Sequence, residues 1–360
     1  MRIMRKRVLL TGHNGYIGSV MVPVLMQAGY EVVGLDTGYF SECTLLPDSV
    51  KVSAVNRDIR SIDQNDLRGF HAVVHLAALS NDPIGNLDAD WTREINLEGS
   101  VRLAEYAKAA GVERFLFSSS CIMYGMSEAN VVTEESPLDP RTEYARSKVL
   151  AERVISALAD DRFSPTFLRN GTIYGLSPRM RFDTVFNDLI ASAVTTGKVV
   201  VHSDGKPWRP VIHVQDVARA FMTVLQAPVE KVHNQAFNTG ANELNYQIRE
   251  LAEIAVRAVP DSKLEIRAQS GADQRTYKAD FGKFARTFPE FKFHWTAEKG
   301  AAEVYRGFQF IGLTYGMLID KRFTRLKWLR HLLDSGQLDK QLRWHDAVGM
   351  TAYAGAGESL

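Results

Sequence analysis

The stretch Val8-Leu9-Leu10-Thr11-Gly12-His13-Asn14-Gly15-Tyr16-Ile17-Gly18 constrains this chain more than any other. Residues 8–10 read as a buried strand, and Gly12, Gly15 and Gly18 turn it directly into a helix. Beyond the turn, Ile17, Val20, Met21, Val24 and Leu25 recur at helical spacing, so one face of that helix is apolar. A helix N-terminus presents unpaired N–H groups and the positive end of its dipole, which together suit a pyrophosphate. The spacing is GxxGxxG rather than GxGxxG, so the glycines alone also describe an ordinary strand–turn–helix corner. The next apolar run, 30–35, decides between the two. It ends at Asp36, eighteen residues after Gly18, where an acidic side chain can take the hydroxyls of an adenosine ribose.

The rest of the chain narrows the class. Its 360 residues suffice for a large core and two lobes, and a net charge of +1 points away from nucleic acid or an anionic membrane as the main partner. Basic residues 1–7 precede an apolar stretch too short for a signal peptide, and no apolar run approaches bilayer length. Cys43 and Cys121 are too few for a disulfide framework or a thiolate metal cluster, and no other set of ligand side chains has metal-binding spacing. The expectation is a cytoplasmic protein of a reducing compartment, without a metal.

From residue 8 to about 165, strands alternate with helices, which implies a doubly wound parallel α/β sheet with ligands at the carboxyl ends of its strands. Strands are expected at 51–55, 72–76, 114–118 and 166–169, with helices at 92–110 and 141–160. After Gly175 the alternation loosens. Segments 211–214, 216–226 and 236–239 read as a return to the main sheet. Residues 170–210 with 240–300 read as a smaller mixed α/β lobe for substrate, beside a nucleotide-binding unit of 7–169 with 211–239. Residues 301–360 form a helical extension with an amphipathic helix at 323–344 and a flexible tail at 352–360.

The strongest catalytic signal is Tyr144-Ala145-Arg146-Ser147-Lys148. Tyrosine and lysine four residues apart lie one turn apart on one helix face. An ammonium beside a phenol favours phenolate, lowering a pKa that starts at about 10, so the pair can serve as a base on a substrate hydroxyl near neutral pH. The pair gains weight because the glycine turn, Asp36 and the cluster Ser118-Ser119-Ser120 precede it in order.

These pieces together resemble an extended short-chain dehydrogenase/reductase of the NAD-dependent nucleotide-sugar epimerase/dehydratase group, with a Rossmann sheet. Further matches are Asp58-Ile59, His75-Leu76-Ala77-Ala78, Asn96, Ile173-Tyr174-Gly175 and Arg209-Pro210-Val211-Ile212-His213. The resemblance spans roughly residues 7–300 and leaves the tail unexplained. It implies that Gly12, Gly15, Tyr16, Ile17 and Gly18 hold the NAD pyrophosphate, while Asp36 binds the adenosine ribose and disfavours NADP. Asp58 and Ile59 would flank the adenine, Leu76, Ala77, Ala78 and Ser118 would line the dinucleotide, and Asn96 would pin the geometry behind it. Ser120, Tyr144 and Lys148 would form the catalytic triad. Thr172, Asn187, Leu189, Arg209 and Arg275 would meet the nucleotide-sugar substrate, the arginines through its phosphates. A homodimer built on the helices at 92–110 and 141–160 is also implied.

One departure bears on the reaction. Group members that eliminate water carry Asp-Glu or Ser-Glu where this chain has Cys121 and Ile122, which are not a plausible general acid/base pair for elimination. The expected activity is therefore epimerisation of a nucleotide-activated sugar, most simply at C4 through a transient ketone. The alternatives are a net NAD(P)-dependent ketoreductase or dehydrogenase, a 4,6-dehydratase, and a silent dinucleotide-binding regulator. Cys121 itself reads as a small core residue, and His13, His75 and His213 as loop or packed histidines. Arg179 and Arg181 could reach a phosphate or cover a solvated loop.

Overall fold

The computed structural model describes residues 5–48, 50–80, 82–85, 88–126, 131–267 and 275–345; the expected tail at 352–360 lies outside these. In chain order the first strands are β1 (Arg7–Thr11), β2 (Glu31–Asp36), β3 (Ser53–Asn56), β4 (Ala72–His75), β5 (Arg114–Ser120) and β6 (Ser164–Asn170). They are followed by β7 (Thr172–Tyr174), β8 (Lys198–Val201), β9 (Trp208–His213), β10 (Gln235–Thr239), β11 (Asn245–Gln247) and β12 (Lys263–Ile266). The longer helices are α1 (Gly18–Gln27), α2 (Ser100–Ala109), α3 (Glu143–Ser156), α4 (Val185–Thr196), α5 (Val214–Gln226), α6 (Ile248–Ala258), α7 (Ala297–Phe310) and α8 (Arg325–Asp334).

A seven-stranded, all-parallel sheet runs β10-β6-β5-β4-β1-β2-β3, the doubly wound arrangement the alternation predicts. Both faces are covered, and the two-residue period of each strand sorts its side chains between two cores. Leu9, Val73, Phe115 and Phe117 face one core, which also takes Trp328, Leu329 and Leu332 of α8. Val8, Leu10, Ala72, Val74 and Leu116 face the other, against Met21 and Leu25 of α1 and Phe221 and Val224 of α5. A third core gathers Phe186 and Ile190 of α4, Leu251 and Ala255 of α6, and Val304 and Phe308 of α7.

One strand corrects the expectation. Residues 211–214 do not return to the main sheet: β9 lies between β7 and β11 in a separate three-stranded sheet, parallel to β7. The divergence starts at Gly171, directly after β6, where a Cβ would sit 3.0 Å from the Pro210 carbonyl oxygen. The chain can therefore step out of the large sheet, and β10 takes the edge beside β6. The expected single helix at 92–110 is also divided: Arg93–Gly99 winds as a wider π-helical segment before α2 begins.

Candidate active site

The carboxyl ends of β1, β2, β4, β5 and β6 open onto one cavity of about 730 Å³, within the usual range for ligand pockets. At one end is the glycine turn. Gly12 has φ +73°, and a Cβ there would stand 2.8 Å from the Ala77 backbone nitrogen; at Gly15 it would crowd the Gly12 carbonyl at 3.2 Å. Gly18 starts α1 so close to the turn that a Cβ would overlap the Gly12 and His13 backbone. The turn is thus a bare-backbone cradle against the Leu76-Ala77-Ala78 shelf, which fits a pyrophosphate. The Asp36 carboxylate accepts the Asn14 N–H at 3.1 Å and the Gly38 N–H at 2.9 Å, which hold it at the cavity wall with lone pairs left for hydroxyl donors. Asp58 and Ile59 line the same end, Asp58 with its carboxylate engaged by the Arg60 guanidinium at 2.6 Å.

A polar relay supports the shelf from beneath. Ser100 Oγ donates to the Asn96 carbonyl at 2.7 Å, so it accepts from His75 Nε2–H at 2.8 Å. That assignment leaves His75 Nδ1 to accept from the Thr11 hydroxyl at 2.7 Å, and Thr11 in turn accepts the Ala77 N–H at 3.3 Å. Burial, with Lys148 adding to it, lowers His75 to about 3, consistent with a neutral ring. Asn96, on the π-helical segment, closes both polar groups of the Leu79 backbone with its amide at 2.8 and 3.0 Å. Asn96 is fully buried and does not line the cavity; it stands behind the wall, in the pinning position the resemblance implies rather than in direct contact with a cofactor.

Midway along the cavity, β5 ends in Ser118-Ser119-Ser120 and α3 brings in Tyr144 and Lys148. Thr142 caps that helix by accepting the Ala145 N–H at 3.2 Å, which sets the turn carrying Tyr144. Lys148 Nζ is buried, donates to the Ser118 carbonyl at 2.8 Å, and lies 4.5 Å from the Phe117 ring centroid and 5.9 Å from that of Tyr144. Burial lowers its pKa to about 8, against the opposing pull of Glu152 one turn on. Glu152 is itself pinned by Arg169 at 2.7 Å, so a buried ion pair ties α3 to β6. The Ser120 hydroxyl accepts the Ile122 N–H at 3.3 Å and lines the cavity, leaving its own proton to donate.

Cys121 points away from the cavity. It is fully buried, its thiol donates to the Arg169 carbonyl at 3.1 Å, and burial pushes its pKa far above the ordinary thiol value. Ile122 takes the neighbouring place in the wall. Cys43 is buried as well, and burial raises its thiol to about 12.

The far end of the cavity is built largely from residues that follow β6. Arg209 and Arg275 both line it, and Arg209 donates to the backbone carbonyls of Trp208 and Arg275, which brings the two residues together. Thr172 and Leu189 are in the wall. Asn187, expected to touch substrate, does not line the cavity. Its amide holds the Gly175 N–H, the Tyr16 hydroxyl and the Arg181 carbonyl, so it joins the glycine turn to α4 from inside. The two open arginines separate: Arg179 pairs with Asp48 at 2.8 Å, whereas Arg181 reaches the cavity wall with Asp183 at 2.8 Å and Ser80 at 2.9 Å. The sequence reading misses Asp188, His202, Tyr277 and Arg325, which also line the cavity and belong to no spacing pattern. Asp188 opens onto the cavity, and the low-dielectric walls around it raise its carboxyl to about 6 despite His202 nearby. Among the described residues no group of ligand side chains could hold a metal ion, and no helix is long and apolar enough to cross a membrane.

A parallel sheet with a glycine-turn seat and a Ser-Tyr-Lys set at its carboxyl edge defines the short-chain dehydrogenase/reductase type of dinucleotide enzyme. Residues 8–240 match the NAD dependent epimerase/dehydratase family, and the chain belongs to it. A UDP-glucose 4-epimerase of Bacillus subtilis (strain 168) is 27% identical over 327 residues, which span 82% of this chain and 94% of the relative. A dTDP-D-glucose 4,6-dehydratase of Mus musculus is 27% identical over 283 residues, 74% of this chain and 77% of the relative. The solved structure of MoeE5 in complex with UDP-glucuronic acid and NAD superposes with a TM-score of 0.72 at 28% identity, covering 84% of this chain and 99% of that one.

Proposed function

We propose that the chain is an NAD-dependent epimerase of a nucleotide-activated sugar, inverting C4 through a transient ketone. The observation that carries this reading over elimination is the wall beside Ser120: a leucine-sized apolar side chain, Ile122, and a thiol turned into the core, with no carboxylate at either position. Gly12, Gly15, Tyr16, Ile17 and Gly18 with Asp36 seat the dinucleotide, and Ser118, Tyr144 and Lys148 border its reactive half. NAD, when bound, supplies a hydride acceptor that later returns the hydride. Tyr144 takes the proton of the sugar hydroxyl, Ser120 donates to the developing carbonyl oxygen, and Lys148 holds positive charge beside the phenol. Arg209 and Arg275 anchor the phosphates by charge-assisted hydrogen bonds while the sugar turns between them and Tyr144.

The test is incubation of the purified protein with a panel of nucleotide sugars, read by NMR and by absorbance at the nicotinamide band. Interconversion of C4 epimers without net absorbance change is the expected result. Stoichiometric reduction of added NAD would replace the reading with net oxidation, and a 4-keto-6-deoxy product would replace it with dehydration. The same reading makes the enzyme a cytoplasmic homodimer paired through α2 and α3, supported by Leu150 and Val154 standing exposed on α3. Sedimentation at twice the monomer mass would agree with it.

A further inference from the structure

The segment from Thr324 to Trp344 lies beyond the family match, which ends at residue 240, and outside every catalytic motif. It nevertheless closes over the adenosine end of the cavity. Thr324, Arg325 and Leu326 line the same cavity as Asp36 and Asp58. From α8, the Trp328 indole N–H donates to the Tyr39 carbonyl at 2.6 Å. At the end of the segment, the Trp344 indole N–H donates to the Thr37 carbonyl at 2.7 Å. Both acceptors belong to the loop that directly follows Asp36, whose carboxylate is itself held by the Gly38 N–H of that loop.

The second adenosine-side element is tied in the same way. Arg60, buried beside Asp58, donates to the Gln341 carbonyl at 2.8 Å and the Leu342 carbonyl at 3.1 Å, and the Tyr39 hydroxyl also donates to Leu342. Leu342 has φ +56°, a left-handed conformation that a leucine keeps only when its surroundings over-determine it. Here the over-determination is visible: its side chain is fully buried and its carbonyl takes two donors from the two loops. Arg343 adds a contact to Asp58 at 3.5 Å.

We infer that residues 324–344 form a cofactor-retaining strap, which fixes the loops 37–40 and 58–60 around the adenosine half of NAD and slows its release. The inference rests on the glycine-turn and Asp36 end of the cavity being the NAD seat, but not on which sugar or carbon is acted upon. An epimerase regenerates its own cofactor in each cycle, so a strap that opposes exchange is compatible with turnover, whereas net redox would require the strap to open every cycle.

The experiment follows bound NADH by fluorescence in the full-length protein and chases it with excess NAD. Trp328→Phe/Trp344→Phe removes both indole donors while keeping aromatic packing. Losing two hydrogen bonds to the loop after Asp36 raises the NADH release rate by about tenfold. The exposed contact is tested separately by Arg343→Ala, with an increase of about threefold expected, and this variant carries the test should the double variant fail to fold. Lys327→Ala, on the same helix but making none of these contacts, leaves the rate at the wild-type value. Release rates equal to wild type in the strap variants, or an equal rise in Lys327→Ala, overturn the strap alone. A wild-type protein that binds no NADH overturns the seat and the strap together.

Discussion

The two ends of the cavity are made of different material. The cofactor end is built from backbone: a glycine turn at φ +73°, a shelf held by a relay from Thr11 through His75 to Ser100, and a carboxylate oriented by two N–H groups. The end proposed for the substrate is built from charged side chains, Arg209, Arg275, Arg181 with Asp183, and Asp188. Backbone geometry tolerates few residue types and leaves fixed spacings behind. Side-chain chemistry can be supplied from many positions, which leaves room for one scaffold to take different substrates.

The largest expected effect lies where the ends meet. Tyr144→Phe leaves the backbone cradle intact, so NAD binding measured by titration persists while kcat falls about 10²–10⁴-fold. A variant that kept its turnover would remove Tyr144 from the mechanism. Next, Gly12→Ala attacks the cofactor end alone: the strained φ and a Cβ 2.8 Å from the Ala77 nitrogen weaken NAD binding by about 1–3 kcal/mol, read by calorimetry. At the substrate end, Arg209→Ala raises KM about 10–100-fold with kcat and NAD affinity little changed. If Arg209→Ala instead weakened NAD binding, the division into two ends would fail.

The remaining effect is on stability and has a sign fixed by linkage. Burial holds Lys148 at about 8, below the 10.5 of an unburied lysine, so between those values the unfolded chain binds a proton that the folded one has lost. Stability therefore rises with pH across that window, and below about pH 8 the buried ammonium is a full burden on the fold. Lys148→Met abolishes activity yet stabilises the protein by about 1–3 kcal/mol at pH 7. Its advantage in melting temperature should shrink as pH climbs from 8 towards 10.5. Equal melting curves at pH 7 would mean that the Ser118 carbonyl and Glu152 already offset the burial.

Legibility in the sequence follows the same division. Gly12, Asp36 and the Tyr144–Lys148 pair are visible because turn geometry and helix periodicity impose their intervals. The large sheet is visible because its central strands, β1, β4 and β5 among them, are buried on both faces. The strand at 208–213 carries the apolar pair Val211-Ile212, and periodicity cannot say which sheet such a strand joins; the separation follows Gly171 in three dimensions. Asn187 resembles a contact residue because it lies on a helix that lines the cavity, yet its amide is engaged behind the wall by the Gly175 N–H, the Arg181 carbonyl and the Tyr16 hydroxyl. The strap is illegible for a simpler reason. Its contacts join an indole to a carbonyl 307 residues away, and a carbonyl acceptor has no residue type to recognise.

The two buried thiols have a practical consequence. Cys43 and Cys121 are the chain's only cysteines, and both are closed to solvent with their thiolates disfavoured. Maleimide chemistry therefore meets a nearly blank background. A single cysteine introduced at exposed Lys340 could carry a fluorophore without removing either native one. Its emission would then report the movements of residues 324–344 in real time, with both native thiols left in place.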